Sequence, residues 1–209
     1  VLLARTRLAS RWYRAPIELD VAADVRLGRH VRIELEPGTS NLLRIGPECQ
    51  VLDRVLIMLK GGEVVIGRDA RLRRDCTLNV SGRFEMGDRT MLSFGCIVHC
   101  ADEVVLETMV AVGDYATIAD SRHFFTAPDT WVYDNLETAP VRIGTNTWVC
   151  PRAAIAAGVT IGSHCIIASN SLVKRDVPAG HQATGVPVDD VRPLRQPWRP
   201  APPRREVAR

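Results

Sequence analysis

Of the chain's five histidines, His123 stands in the company that chemistry requires. Asp120 lies three residues before it, and Trp131 and Tyr133 follow in the same segment, residues 119–140. A hydroxyl at neutral pH is almost never ionised, so any reaction that uses it as a nucleophile needs a base. Imidazole exchanges protons in that range, and a positioned general base accelerates such a step by about 10²–10⁴-fold. Asp120 is a candidate to orient the imidazole or to bind the reacting hydroxyl; it reads equally as a corner Asp capping its own turn. Trp131 and Tyr133 offer flat faces to a sugar ring, or pin the segment to the body of the protein. The plain alternative for His123 is a loop residue that anchors a bend. No two histidines have HxxxxH spacing and no CxxC pair occurs, so neither a zinc nor a redox centre is indicated.

The element that must carry this segment is written in the residues after it. Ile143, Val149, Ile155, Ile161, Ile167 and Val173 recur every six positions. Four residues after each comes Thr147, Ala153, Val159, Cys165, Ser171 or Val177, all small or β-branched. A helix repeats near 3.6 and a simple strand at two, so neither gives this period. Short flat strands with a corner every six residues do, and three such faces close one coil of a triangular solenoid. The rhythm begins imperfectly near Val21, is interrupted at residues 36–41 and 60–63, and predicts about seven coils. At about 4.8 Å per coil the prism would be roughly 34 Å long. The one long interruption is residues 119–140, and long loops in regular scaffolds tend to be functional. Three parts follow: a basic amphipathic segment at 1–20, the prism at 21–178, and a C-terminal extension at 179–209 that is rich in Pro and Arg and reads as an extended arm. In the first part Leu2, Leu3, Leu8 and Trp12 are expected to share one face of a short helix ending at Pro16.

Charge is unevenly spread. The net +3 divides into +9 on the first fourteen and last eighteen residues and −6 on residues 15–191. Basic ends could meet anionic lipid or nucleic acid, but no nucleic-acid motif accompanies them, and solvent or a neighbouring subunit is the expected surrounding. No run of about 18 uncharged apolar residues occurs, so no bilayer span is expected; contact of the basic segment with a membrane surface is left open but not indicated. Cys49, Cys76, Cys96 and Cys165 occupy the small corner position of the hexad and read as compact buried groups. Unpaired cysteines suit a reducing, cytoplasmic setting.

With these residues in view, several runs resemble the hexapeptide-repeat acyltransferases. They are IADSRH (118–123), VRIGTNTWV (141–149), AGVTIG (157–162), SLVKRDVP (171–178) and GVP (185–187). The resemblance covers roughly residues 64–192 and is strongest to sugar and polysaccharide O-acetyltransferases. It implies an all-β fold, a left-handed parallel β-helix with a protruding loop, assembled as a homotrimer with active sites between prisms. It implies acetyl-CoA or another acyl-CoA as co-substrate, no metal, and a hydroxyl of a carbohydrate-type acceptor. His123 matches the family's base. Trp148 matches the residue beside the acyl and pantetheine path, with Ser169 among the coenzyme-binding positions. Lys174, Arg175 and Arg192 match basic positions near the nucleotide phosphates. Departures occur on the acceptor side: Ser93 stands where an Asn is usual, Ala101 with adjacent Asp102 where an acid is usual, and Asp189 where a second basic residue is usual. N-acylation of an amino sugar by the same histidine, zinc-dependent carbonic anhydrase chemistry on a similar prism, and a non-catalytic scaffold are the rival readings.

Overall fold

The residues spaced by six all turn inward: Ile143, Val149, Ile155, Ile161, Ile167 and Val173 are each no more than 2% exposed. Their neighbours along the strands point to solvent, so each short strand contributes one row to the core and one to the surface. The computed structural model describes residues 2–194 and is a left-handed parallel β-helix with three sheet faces. The first face runs from Ile17–Val21 through Asn41–Ile45, Glu63–Ile66, Arg83–Met86, Glu103–Leu106 and Val141–Ile143 to Thr160–Ile161. The third carries Arg32–Leu35, Leu56–Leu59, Thr77–Val80, Ile97–Cys100, Thr117–Ala119, Ala154–Ile155 and Leu172–Val173. Both are seven strands deep, and successive strands pair in parallel; on the third face Met58, Asn79, His99 and Ala119 form one outward row.

The corners explain why the position after each turn is small. The residue just before it adopts a left-handed conformation although it is not glycine: Asp75, Arg89, Met109, Tyr115 and Arg152 have φ of 58–66°. That geometry costs on the order of 1 kcal/mol for a residue with a Cβ. It aims the N–H along the prism axis, where it donates to a corner carbonyl of the preceding coil at 2.7–3.1 Å, as from Tyr115 to Phe94 and from Arg152 to Asp114. The next side chain then turns straight into the core. Cys49, Cys76, Cys96 and Cys165 sit there, buried and unbridged.

Both ends depart from expectation. The helix Leu2–Trp12 lies over the N-terminal end, but the four apolar residues do not share a face. Leu2 and buried Thr6 make the inward stripe, while Leu8 and Trp12 are 70% and 83% exposed. Six residues separate Leu2 from Leu8, which at 100° per residue puts them about 120° apart around the helix. At the other end, His181–Gly185 pairs in parallel with Ile166–Ile167 and turns back antiparallel as Val188–Pro193, extending the second face. The strands of that face begin at Arg26–Leu27 and pass through Met91–Leu92, Ala111–Val112 and Trp148–Val149 to Ile166–Ile167. Ala183 and Val188 are buried there, so this stretch continues the prism. The Pro/Arg-rich run expected to form an arm lies, from residue 195 on, outside the described residues.

Candidate active site

The long insertion leaves the prism at the corner between the third and first faces. Asp120 forms its root and is fully buried. One carboxylate oxygen accepts the Ala101 N–H and the other the Asp102 N–H, each at 2.8 Å. Its own carbonyl accepts the N–H of Ala139 at 2.8 Å, so both ends of the insertion are tied at one point. From this root Ser121–His123 runs antiparallel to Leu136–Thr138 as a short arm, with His123 opposite Leu136.

The imidazole is held by the arm itself. Nδ1 of His123 lies 3.1 Å from the carbonyl oxygen of Asn135. A carbonyl can only accept, so Nδ1 carries a hydrogen, and in the neutral ring the lone pair is then on Nε2. This is the tautomer that a general base needs. The Tyr133 ring lies 4.4 Å from the imidazole, and Trp131 stacks on Tyr133 at 5.4 Å, giving a row of three rings along the arm.

Two grooves meet beneath the arm. One, about 480 Å³, extends over the N-terminal coils of the third face and is lined by Lys60, Asn79, Ser81, His99, His123 and Tyr133 among others. The second, also about 480 Å³, extends over the later coils past Thr138, Ala154, Ala156, Leu172 and Lys174. Ala119 and Ser121 line both. Each volume falls in the range of small-molecule sites. Cys100, in the floor of the first groove, is a neutral thiol: burial above all, with the nearby Asp120 charge, pushes it up to about 12.

The side chains singled out in the sequence fall into two groups. His123, Asp120, Trp131, Tyr133, Lys174 and Arg175 cluster at the corner between the third and first faces, and Lys174 lines the second groove. Asp120 makes no hydrogen bond to the imidazole; both of its oxygens accept from the corner of the preceding coil, a role different from capping its own turn. Trp148 stands on the second face, half-exposed, between Ala111 and Ile166. Arg192 is on the edge hairpin and pairs with Asp190 at 2.6 Å. Ser93 and Ser169 lie at the corner between the second and third faces. Ser93 is buried and donates to an Asp114 carboxylate oxygen, with the Arg73 guanidinium 3.4 Å away, and it lines neither groove. Ser169 bonds the buried Cys150 thiol and partly offsets the upward push that burial gives it. One chain therefore brings the arm and Lys174 together but leaves Trp148, Ser93, Ser169 and Arg192 on other surfaces.

Sequence reasoning missed the Asn135 carbonyl, which no side-chain motif could reveal. It also missed Lys60, Asn79, Ser81 and His99. Asn79 and His99 are twenty residues apart, one full coil, and their outward alignment was available from the repeat alone. Among the described residues no group of His, Cys, Asp and Glu is arranged to hold a metal ion, and no helix is long and apolar enough to cross a membrane.

Comparison with known proteins agrees with the repeat. Residues 140–175 match the bacterial transferase hexapeptide (six repeats) family. A probable acetyltransferase of Mycobacterium tuberculosis is 25% identical over 174 residues, 83% of this chain and 51% of that protein. The galactoside O-acetyltransferase of Escherichia coli is 38% identical over 55 residues, 26% of this chain and 27% of its own. A hexapeptide-repeat acetyltransferase from Vibrio cholerae, crystallised with acetyl coenzyme A, superposes with a TM-score of 0.57 at 21% identity, covering 63% of this chain and 71% of the other. The chain thus spans about half the length of the first of these relatives, and the structural likeness concerns the fold.

Proposed function

We propose that this hexapeptide-repeat chain is an acyl-coenzyme A-dependent O-acyltransferase acting on a hydroxyl of a carbohydrate-type acceptor. The observation that carries the reading is the anchored imidazole: Nδ1–H donates to the Asn135 carbonyl, so Nε2 is the basic atom, on a side chain lining one of two grooves that share a floor. Nε2 takes the acceptor's hydroxyl proton as the oxygen attacks the thioester carbonyl. The carbon–sulfur bond then breaks, and the same proton passes from Nε2 to the leaving sulfur. His123 ends as it began, which is what a general base in acyl transfer must do.

The groove past Ala154 and Ala156 to Lys174 suits the donor. Small side chains leave room for a narrow pantetheine arm, and Lys174 with neighbouring Arg175 offers cations for phosphates. Trp148, Ser169 and Arg192 can join this site only from a neighbouring prism whose second face packs against the third. The reading is therefore tied to a homotrimer, the smallest ring in which every subunit gives one face and receives another. Six buried, unbridged cysteines fit a cytoplasmic enzyme.

The experiment is thiol release from acetyl-, succinyl- and octanoyl-coenzyme A with a panel of sugar acceptors, for wild type and His123→Ala. Acceptor-dependent turnover that falls by about 10²-fold or more in the variant supports the reaction class and the base. Turnover with amino sugars alone would replace O- by N-acylation. Neither coenzyme binding nor turnover would leave a non-catalytic scaffold.

A further inference from the structure

The groove on the N-terminal side of His123 has an electrical character that the hexad does not require. None of its lining residues is an Asp or Glu. Its charged side chain is Lys60, at the far end from the arm, exposed, and in no ion pair among the described residues. The carboxylates around it are otherwise placed: Asp102 and Asp134 follow the lining residues Ala101 and Tyr133 in sequence, but neither lines the groove. Asp120 lies behind the wall with both oxygens taken by backbone amides. Glu36, one coil back from Lys60, does not line the groove, and Glu34 pairs with Arg32 at 3.4 Å. Between Lys60 and the arm stand two donors. The Ser81 hydroxyl is exposed, and the Asn79 amide lies 3.4 Å from Nδ1 of His99, which leaves the His99 Nε2–H for a ligand.

The spacing is set by the ladder. The strand Leu56–Leu59, which Lys60 follows, is three rungs from Thr117–Ala119, where the arm departs. Three rungs are about 14 Å. After a hydrogen bond's length is taken from each end, one or two sugar rings and a substituent remain. We propose that the acceptor is an anionic carbohydrate, its phosphate or carboxylate held by Lys60 with Ser81 and His99, and its reacting hydroxyl presented to His123. This deepens the acyltransferase reading and rests on it for the role of the hydroxyl.

The test is equilibrium binding, so that it does not depend on having found the true acceptor. Glucose 1-phosphate, glucuronic acid and methyl glucoside are titrated into wild type, Lys60→Gln and Lys60→Arg by calorimetry. Acetyl-coenzyme A is titrated into each protein separately. A charge-assisted hydrogen bond lost at Lys60 should weaken the anionic ligand by about tenfold or more in Lys60→Gln. Lys60→Arg should restore most of it, and acetyl-coenzyme A affinity should not move. Preference for the phosphate over the uronate, or the reverse, identifies the anion. Equal binding of all three sugars, or anionic binding indifferent to Lys60→Gln, overturns the proposal. Loss of acetyl-coenzyme A binding in wild type would instead overturn the acyltransferase reading, while Lys60-dependent anion binding would still stand.

Discussion

Asp120→Asn separates two roles that the sequence left open. The carboxylate accepts two backbone N–H groups from the preceding coil at 2.8 Å and is fully buried. Asparagine keeps one acceptor and turns an NH₂ toward the other donor. The loss is therefore one charge-assisted bond plus one buried N–H without a partner. Such a bond is worth roughly 1.5–3 kcal/mol and an orphaned donor costs about 1–3 kcal/mol. Removing a buried charge also removes its desolvation cost, which offsets part of the sum. A net destabilisation of about 2–4 kcal/mol is expected, or a fall in Tm on the order of 5–15 °C for a chain of this size. The imidazole's own partner, the Asn135 carbonyl, is untouched. Well below the new Tm, turnover should fall by less than about tenfold, through looser positioning of the arm. Thermal unfolding by circular dichroism and thiol release at low temperature measure the two quantities on one preparation. An unchanged Tm with a 10²-fold loss of kcat would refute this reasoning and return Asp120 to the reacting groups.

Other substitutions probe the scaffold and the assembly. Glu107 bridges the coils on either side of the insertion, bonding the Thr145 N–H and hydroxyl through one oxygen and Arg142 through the other. The Thr145 hydroxyl first, with Arg142 assisting against burial, holds this carboxyl below its ordinary range. Its contribution should be fully present above the unfolded carboxylate value, near pH 4.3, and vanish as pH falls through the lower folded value. Glu107→Gln should thus cost about 1 kcal/mol at pH 7, and its difference from wild type in urea melts should shrink as pH falls below the ordinary carboxylate range. Ile118→Ala empties a core position 1% exposed directly under the arm and should cost about 2–5 kcal/mol by the same melts. Gly82→Ala would put a Cβ 2.0 Å from the Asp102 carbonyl oxygen, backbone that cannot swing aside, and is expected to unfold or severely destabilise the coil bearing Asn79 and Ser81. Light scattering should return a trimer, with Trp148→Ala weakening it or raising KM for the coenzyme; a wild-type monomer would leave Trp148 with no groove to line.

The fold was legible because one requirement repeats. Ile143 to Val173 at six-residue spacing can all face one interior only if the chain turns a corner each time, and the corner residues Thr147 to Val177 confirm the turn. The helix was misread because four apolar residues in eleven do not make a stripe: Leu2 and Thr6 do, Leu8 and Trp12 make another. The hairpin His181–Pro193 was missed because it turns back antiparallel and abandons the hexad that had announced the strands of the prism. At the site, His123 was readable as the one histidine in the one long break. Its orienting partner was not, because a main-chain carbonyl has no signature. The outward row of Asn79 and His99 went unremarked because the hexad constrains what faces in and is silent on what faces out.

That silence has a structural meaning. Core positions are fixed by the need to stack, so they differ little from coil to coil, while the outward rows of the third face are free to vary one rung at a time. An arm pinned at a single corner divides such a row into two directions. Lys60 and Lys174 lie at opposite ends, five rungs or about 24 Å apart, with His123 between them. Groups so distant, with no shared partner, should act independently on their ligands. If the two grooves hold acceptor and donor as proposed, a change in the coils before the arm should alter acceptor choice without loosening the donor, and a change in the coils after it should do the converse. On the reading proposed above, acceptor and donor are thus met on separate rungs, and the two grooves share only Ala119 and Ser121 among their lining residues, beneath His123.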